Sequence, residues 1–574
     1  MTSSRFEKLP FDKERLLGEV PRTEYLTNWP VVYTIFNRSN KQIYIGETTN
    51  AISRLIQHTS SVSKGKLSEA QVIVNPSFNK SVCLDLESQL IRFFDADGNF
   101  QVINSNGGIS DADYFERAKY QKTFNEIFEE LQKAGFLTQD VKTLVNSEFF
   151  KYSPFKSLNF EQAAALNEVL ENLLPNLPSK VGKTYVIQGD PGTGKTIVAI
   201  YLVKLLYEIK VSSDEDLLES ESIFSDFFIE ENRRNLVNAR IGLVIPQQSL
   251  RKTIQRVFDR TPGLDPRDVM SPFDAAATDE VYDLLIVDEA HRLQQRSNQS
   301  SAQQNKQFTE LNLKLFNTDD KTKTQLDWIK ARSKNQILLI DAKQTVKPAD
   351  LSLGTMQTIV GEAKAEKVFF QLVSQMRLQA GGDYIDYVGD VFSGQNPKPK
   401  TDFGDYDFRF FESFSQMFNE IKAREDESKL SRLLSGYGWK WISKGDKSKH
   451  DFEIEGVQLA WNRTVVDWVS STTSKDEVGS IHTVQGYDLN YAGVIVGPEL
   501  KFDADAQKIT FDRASYFDAK GKQNNPGQVF TDDDLLAFVT NIYRVLMTRG
   551  IKGTYLYVVD PSLRTYLSKF FPKA

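Results

Sequence analysis

The sequence predicts an α/β fold, a small α/β domain followed by two parallel-sheet lobes. Short apolar runs recur between helical stretches from Leu158 onward, the rhythm of parallel strands with covering helices. A glycine-rich loop, Gly189-Asp190-Pro191-Gly192-Thr193-Gly194-Lys195-Thr196, follows the run Tyr185-Val186-Ile187. An acidic pair, Asp288-Glu289, ends the run Leu284-Leu285-Ile286-Val287. The expected divisions are an extension over 1–27, the small domain over 28–110, a helical connector over 111–153, and lobes over 154–362 and 363–574.

Composition sets the frame. A chain of 574 residues has room for roughly three or four domains. Hydrophobic content of 40% and charged content of 26% are ordinary for globular protein. The single cysteine, Cys83, excludes an internal disulfide framework and reads as a small buried hydrophobe. The first seven residues lack the apolar core of a signal peptide, and no apolar stretch reaches membrane-spanning length, so a cytoplasmic location and no membrane partner are expected. Net charge of −7 does not announce a polyanion ligand, and the acidic stretch Asp214 to Glu231 carries much of the excess.

The small domain opens the chain, with strands and helices alternating from Pro30 to Gly108. Val31-Val32-Tyr33 and Tyr44-Ile45-Gly46 read as two strands joined by a hairpin at Asn37-Arg38-Ser39-Asn40. Arg54 and His58 lie one helical turn apart on one face. Glu87 sits in an apolar helix, and Asn104 follows a strand. From Ala112 to Phe150 the chain reads as charged helix, with Phe124, Ile127, Phe128 and Leu131 at helical spacing.

In the first lobe, the glycines of 189–196 let backbone N–H groups surround phosphate oxygens. Lys195 supplies charge to the β/γ-phosphates, the Thr196 hydroxyl holds Mg²⁺, and a helix from Lys195 adds its positive end. Asp288 is the second Mg²⁺ residue, and Glu289 orients or deprotonates the attacking water. Together these imply binding and hydrolysis of a nucleoside triphosphate, ATP. Strands are expected at Gly242–Ile245 and Ile337–Ile340, and a mobile loop over the Gln/Ser/Asn-rich tract Gln294 to Gln307. A second strand series is expected at Lys367–Phe370, Phe408–Phe411, Leu433–Ser435, Val494–Val496 and Thr554–Val559. The alternating aromatics Tyr437, Trp439 and Trp441 read as one core face of a strand, with base stacking as the alternative.

Taken together, residues 154–565 resemble superfamily-one helicases, most of all the bacterial Schlafen-like helicase domain (domain of unknown function 2075), which implies two RecA-like lobes. The resemblance implies that Gln162 in Leu158-Asn159-Phe160-Glu161-Gln162 reads adenine, and that Gln344 senses the γ-phosphate. It implies that Arg377 and Arg549 reach the γ-phosphate when the lobes close, a charge that stabilises the transferring phosphoryl group. In Gly479-Ser480-Ile481-His482-Thr483-Val484-Gln485-Gly486-Tyr487-Asp488, His482 and Thr483 would touch the nucleic-acid strand, and Gln485, Gly486 and Asp488 would face the nucleotide. Ile245 to Lys252 resembles a phosphate-touching segment.

Residues 28–108 resemble the GIY-YIG nuclease family, with Val31-Val32-Tyr33 standing for the first triplet and Tyr44-Ile45-Gly46 matching the second. Val31 replaces a glycine and Val32 an isoleucine, changes of packing more than of chemistry, since Tyr33 keeps the hydroxyl. The resemblance implies a one-metal endonuclease: Glu87 anchors Mg²⁺ or Mn²⁺, Arg54 grips the phosphate, Tyr33 acts as base beside Tyr44 and His58, and Asn104 braces the site. The expected function is an ATP-driven translocase or helicase carrying a nuclease for DNA ahead of RNA, in defence or repair. The other expectation is an ATP-driven switch whose front module only binds nucleic acid. A protein partner or homo-oligomer is compatible with either.

Overall fold

The computed structural model describes residues 4–61, 64–104, 114, 117–179, 181–212, 224–296, 302–341, 349–373, 382–400, 402–464, 468–484, 487–518, 521–522 and 529–574. The chain divides into two compact units: Met1–Pro178 with Thr196–Ala239 and Thr253–Val269, and Ser179–Lys195 with Arg240–Lys252 and Met270–Ala574.

The first unit holds a five-stranded sheet of β1 (Arg5–Pro10), β2 (Val31–Asn37), β3 (Gln42–Thr48), β4 (Glu69–Val74) and β5 (Gln101–Val102), in the order β1-β4-β2-β3-β5. β2 and β3 form the expected hairpin, with Tyr33 opposite Gly46. Its turn is built by Asn37, whose side-chain oxygen accepts from the Ser39 and Asn40 N–H groups at 2.9 and 3.3 Å. One face packs on the Ala51–Thr59 helix and the other on the Lys80–Asp97 helix. Cys83 is buried in the latter helix, and burial pushes its thiol up.

The stretch after the small domain is helical but broken, into Arg117–Lys133, Val141–Asn146 and Glu148–Lys151. Phe124, Ile127, Phe128 and Leu131 are buried in the same core as β2, β3 and the Lys80–Asp97 helix, so this stretch extends that core. Further ties hold the unit together. Arg256 pairs with Glu148 at 2.9 Å, and the Arg260 guanidinium lies 3.7 Å from the centre of the Phe149 ring. Ser153 donates to Asp95 at 2.6 Å; burial pushes that carboxyl up to about 6, while Ser153 and the charges of Lys204, Arg260 and Arg92 pull it down.

The second unit contains two sheets. The first comprises β6 (Thr184–Gly189), β7 (Ile241–Val244), β8 (Val269–Met270), β9 (Tyr282–Val287), β10 (Ser333–Ile340) and β11 (Phe369–Leu372), in the order β11-β6-β10-β9-β7-β8. The run expected to open the second series, Lys367–Phe370, therefore belongs here: β11 pairs in parallel with β6. Its neighbour in sequence gave no hint of this, because edge pairing is a long-range property. The Gln-rich tract also departs from expectation. A helix, Ala302–Phe316, takes in its second part, because Phe308 and Leu311 at helical spacing find Trp328 to pack on. Residues 297–301 lie outside the described residues.

The second sheet comprises β12 (Asp407–Phe411), β13 (Ser431–Ser435), β14 (Phe452–Ile454), β15 (Val457–Trp461), β16 (Glu477–Ser480), β17 (Leu489–Val496) and β20 (Gly550–Val558); a separate hairpin is formed by β18 (Leu500–Asp503) and β19 (Lys508–Phe511). Its order, β12-β20-β17-β13-β16-β15-β14, is parallel throughout except for the β14–β15 hairpin. Tyr437, Trp439 and Trp441 pack against the core as expected, but β13 has ended at Ser435 and they lie on the following loop. Among the described residues no helix is long and apolar enough to cross a membrane.

A buried acid marks this second sheet. Glu499 is fully buried and accepts the Tyr543 phenol hydrogen. Burial pushes its carboxyl up to about 7, and the Tyr543 bond and the backbone pull it partly back. The folded value lies above the ordinary 4.5, so this group's stabilising contribution is complete below that value and is lost as pH rises through about 7. Glu499→Gln is thus expected to gain on the wild type in melting temperature between pH 6 and pH 8. An unchanged difference across that window would contradict the assignment.

Candidate functional site

The first constellation lies on the β2–β3 hairpin and the Ala51–Thr59 helix. Tyr33 Oη and His58 Nε2 are 2.7 Å apart, both fully buried. Tyr44 completes an aromatic triangle, its ring centre 6.3 Å from that of Tyr33 and 5.1 Å from that of His58. The pair meets because Gly46, opposite Tyr33, has no side chain: a Cβ there would overlap the Tyr33 hydroxyl. Asn104 accepts from the Ile45 N–H at 3.1 Å and donates to the Ile45 carbonyl at 2.7 Å, pinning the strand that carries Tyr44 and Gly46.

Electrostatics keep this pair neutral. Burial above all, then the charges of Lys64 and Arg54, lower the His58 imidazole to about 2. Burial, with Tyr44 next, raises the Tyr33 phenol well above its ordinary value; Arg54 opposes this and Glu87 adds to it. Arg54, half-buried, also donates to Gln57 at 2.7 Å. Thus Tyr33, Tyr44, Arg54, His58 and Glu87 share one electrostatic neighbourhood, and Asn104 supports it from the strand behind.

The second constellation lies at the carboxyl ends of three adjacent parallel strands, β6, β10 and β9, where such sheets place ligands. After β6 the loop 189–194 turns through Gly192 (φ 87°) and Gly194 (φ 79°), left-handed conformations that a side chain would strain. The Lys195–Val211 helix starts where expected. Lys195 is buried, its Nζ donating to the carbonyls of Gly189 at 2.7 Å and Asp190 at 3.1 Å. Asp341, at the end of β10, stands 3.8 Å away.

After β9 come Asp288, fully buried, and Glu289, held in a left-handed conformation (φ 51°). Burial raises the Glu289 carboxyl, but Arg292, at 2.8 Å, and His291, at 3.1 Å, outweigh it and hold the group well below its ordinary range. His291 also accepts from the Asp341 N–H at Nδ1, at 3.2 Å, so one buried imidazole links the ends of β9 and β10. His291 and Asp341 had no role in the sequence reading. Their only signal was position, two residues past the acidic pair and one past an apolar run.

Other predicted residues are placed as follows. Gln162 is buried, and forms a reciprocal cap with Asn159: its N–H donates to Asn159 Oδ1 at 2.8 Å, and its Oε1 accepts from the Asn159 N–H at 3.1 Å. Arg549 is buried just beyond the Asp532–Met547 helix, its Nε donating to the Val545 carbonyl at 3.2 Å. The Thr483 hydroxyl is buried against Ser480, while His482 keeps part of its side chain exposed. Asp488 is half-buried just before β17. Gln344, Arg377, Gln485 and Gly486 lie outside the described residues.

The donor chemistry suits divalent ions held sparingly. Among the described residues no three His, Cys, Asp or Glu side chains cluster as a metal cage. Glu87 and Asp288 are carboxylates and Thr196 a hydroxyl, oxygen donors of the kind that Mg²⁺ takes a few at a time when waters and phosphate complete its shell.

Residues 182–560 match the family model described as Schlafen group 3, DNA/RNA helicase domain. Residues 30–96 match the GIY-YIG catalytic domain. The uncharacterized protein YPL245W of Saccharomyces cerevisiae (strain ATCC 204508 / S288c) is 25% identical over 446 residues, spanning 72% of this chain and 90% of the yeast protein. Among solved structures, Pif1 helicase from Bacteroides in complex with ADP-AlF3 and ssDNA, and Bacteroides Pif1 bound to ssDNA, are each 10% identical with a TM-score of 0.25, covering 70% of this chain and 92% of theirs. The chain belongs to the Schlafen group 3 DNA/RNA helicase family and carries a GIY-YIG domain ahead of its helicase domain.

Proposed function

We propose that the protein is an ATP-driven nucleic-acid translocase or helicase whose front domain (28–110) is a metal-dependent endonuclease, serving defence or repair. The observation that carries the reading is the Lys195 site, where a buried lysine ends a left-handed glycine loop and Asp341, Asp288 and Glu289 end the two strands beside it. With ATP bound, the Lys195 ammonium exchanges its carbonyl partners for phosphate oxygens. Asp288 and Thr196 would hold Mg²⁺, whose charge would neutralise that of the phosphates. Glu289, already ionised, accepts a hydrogen from the attacking water. Gln162 reads adenine, Gln344 and Asp488 with Gln485 and Gly486 follow nucleotide state, and Arg377 and Arg549 complete the charge as the lobes (154–362 and 363–574) close.

In the front domain, Arg54 would grip the phosphodiester, and Glu87 would anchor a divalent ion whose charge would stabilise that developing at phosphorus. Tyr33 acts as the base toward water, taking a hydrogen from the water as its own hydroxyl hydrogen passes to His58 Nε2, 2.7 Å away, so that no separate phenolate is formed. Gly46→Ala is expected to push the phenol off this line. Cleavage should fall at least about tenfold, with overpacking costing roughly 1–3 kcal/mol of stability. Wild-type cleavage by a Gly46→Ala protein would contradict the packing argument.

Plasmid cleavage with ATP and Mg²⁺ or Mn²⁺, using Lys195→Ala and Glu87→Ala proteins, tests the whole reading. Glu87→Ala should abolish cutting, and Lys195→Ala should abolish its dependence on ATP. Unchanged cutting by both variants removes the proposal.

A further inference from the structure

We infer that the loop between β13 and β14 is a phosphate-binding surface for the nucleic-acid strand, an inference that rests on the translocase reading above. From Lys440 to His450 the chain carries four lysines, Lys440, Lys444, Lys447 and Lys449, against one aspartate, Asp446, in a protein of net charge −7. All four lysines are exposed. Lys440, Lys444 and Lys447 have no carboxylate within ion-pair distance among the described residues, and Lys449 reaches only Asp446, at 3.9 Å. Asp446 is itself engaged by the Ser448 N–H at 3.1 Å and hydroxyl at 2.7 Å. A solvated charged face normally mixes signs along its length, so an unbalanced run of cations points to an external anion.

The loop is held in shape for such a role. Asp451, nearly buried, accepts from the Ile442 and Ser443 N–H groups, the Ser443 hydroxyl and the Trp461 N–H, stapling both ends of the loop to β15. Trp439 packs against Phe452, and the Trp441 ring supports Lys444 at 5.4 Å, while Lys440 lies 5.6 Å from the Phe517 ring. The aromatic residues thus form the loop's floor and the ammonium groups its outer face.

Topology says which anion. β14 runs antiparallel to β15, so a connection from the carboxyl end of β13 to the start of β14 stays at one end of the sheet, passing the ends of β16 and β15. β16 leads directly into Ile481–Val484, which contains His482. Tyr437, at the start of the loop, lies 5.5 Å from the His482 ring. The lysine-bearing loop therefore begins beside the half-exposed histidine assigned to the strand, and a single-stranded backbone crossing His482 continues toward it.

The test is binding of the full-length protein to fluorescent oligothymidylate across a salt series, comparing wild type with a Lys440→Gln, Lys444→Gln, Lys447→Gln, Lys449→Gln variant. A second variant carries arginine at all four positions. The glutamine variant should keep its melting temperature, bind at least about tenfold more weakly at low salt, and show a log–log salt slope shallower by roughly 2 to 3, near 0.7 per lost phosphate contact. The arginine variant should bind like wild type. Wild-type affinity and slope in the glutamine variant overturn the inference and leave the translocase reading standing. Failure of the wild type to bind any polynucleotide overturns both.

Discussion

Lys195→Ala is expected to lower ATP turnover by about 10²–10³-fold, the size of effect seen when one preorganised donor to a developing negative charge is removed, or roughly 3–4 kcal/mol of barrier. The ammonium rests on the Gly189 and Asp190 carbonyls at 2.7 and 3.1 Å, so it is positioned before any nucleotide arrives and needs no large reorganisation to meet phosphate. Alanine keeps the helix start but leaves nothing to replace that charge. A phosphate-release assay reads the loss, with the melting temperature as a control for folding. Turnover within a few-fold of wild type would mean that the loop does not serve ATP.

Glu87→Gln is expected to lower nuclease turnover by about 10²–10⁴-fold, because a neutral amide holds far more weakly than a carboxylate the divalent cation that would supply several kcal/mol of charge stabilisation. Tyr33→Phe should give a loss of similar size for a different reason, removal of the hydroxyl that lies 2.7 Å from His58 Nε2. The two variants separate on metal: Mn²⁺ binding followed calorimetrically should weaken in Glu87→Gln and persist in Tyr33→Phe. Neither should alter ATP turnover in the absence of nucleic acid. Equal cleavage by wild type and both variants would reduce the front domain to a binding module.

Much of this arrangement was legible in the sequence. The glycine loop, the acidic pair and the Tyr33–Tyr44 hairpin depend on residues close together in the chain, where turn chemistry and strand periodicity act directly. What escaped were effects of distant partners. β11 joins β6 with paired residues 183 apart in sequence (Phe369 with Val186), and nothing within Phe369–Leu372 distinguishes a partner in one sheet from a partner in the next. The Gln-rich segment folds as helix from Ala302 because Trp328 covers Phe308. Tyr437, Trp439 and Trp441 alternate like a strand, yet two of them serve as floor for a loop that the buried Asp451 holds in place.

His291 and Asp341 escaped for the same reason. Each looks ordinary in sequence, and their link at 3.2 Å exists only because β9 and β10 are neighbours. Their contribution is to orient: His291 also reaches Glu289, so the position of that carboxylate depends on the end of the adjacent strand.

The most direct test is steady-state ATP hydrolysis by the purified full-length chain, with and without single-stranded DNA or RNA. The account predicts turnover that polynucleotide stimulates and that Lys195→Ala loses. A protein that neither retains nor hydrolyses ATP, whichever polynucleotide is supplied, would contradict it.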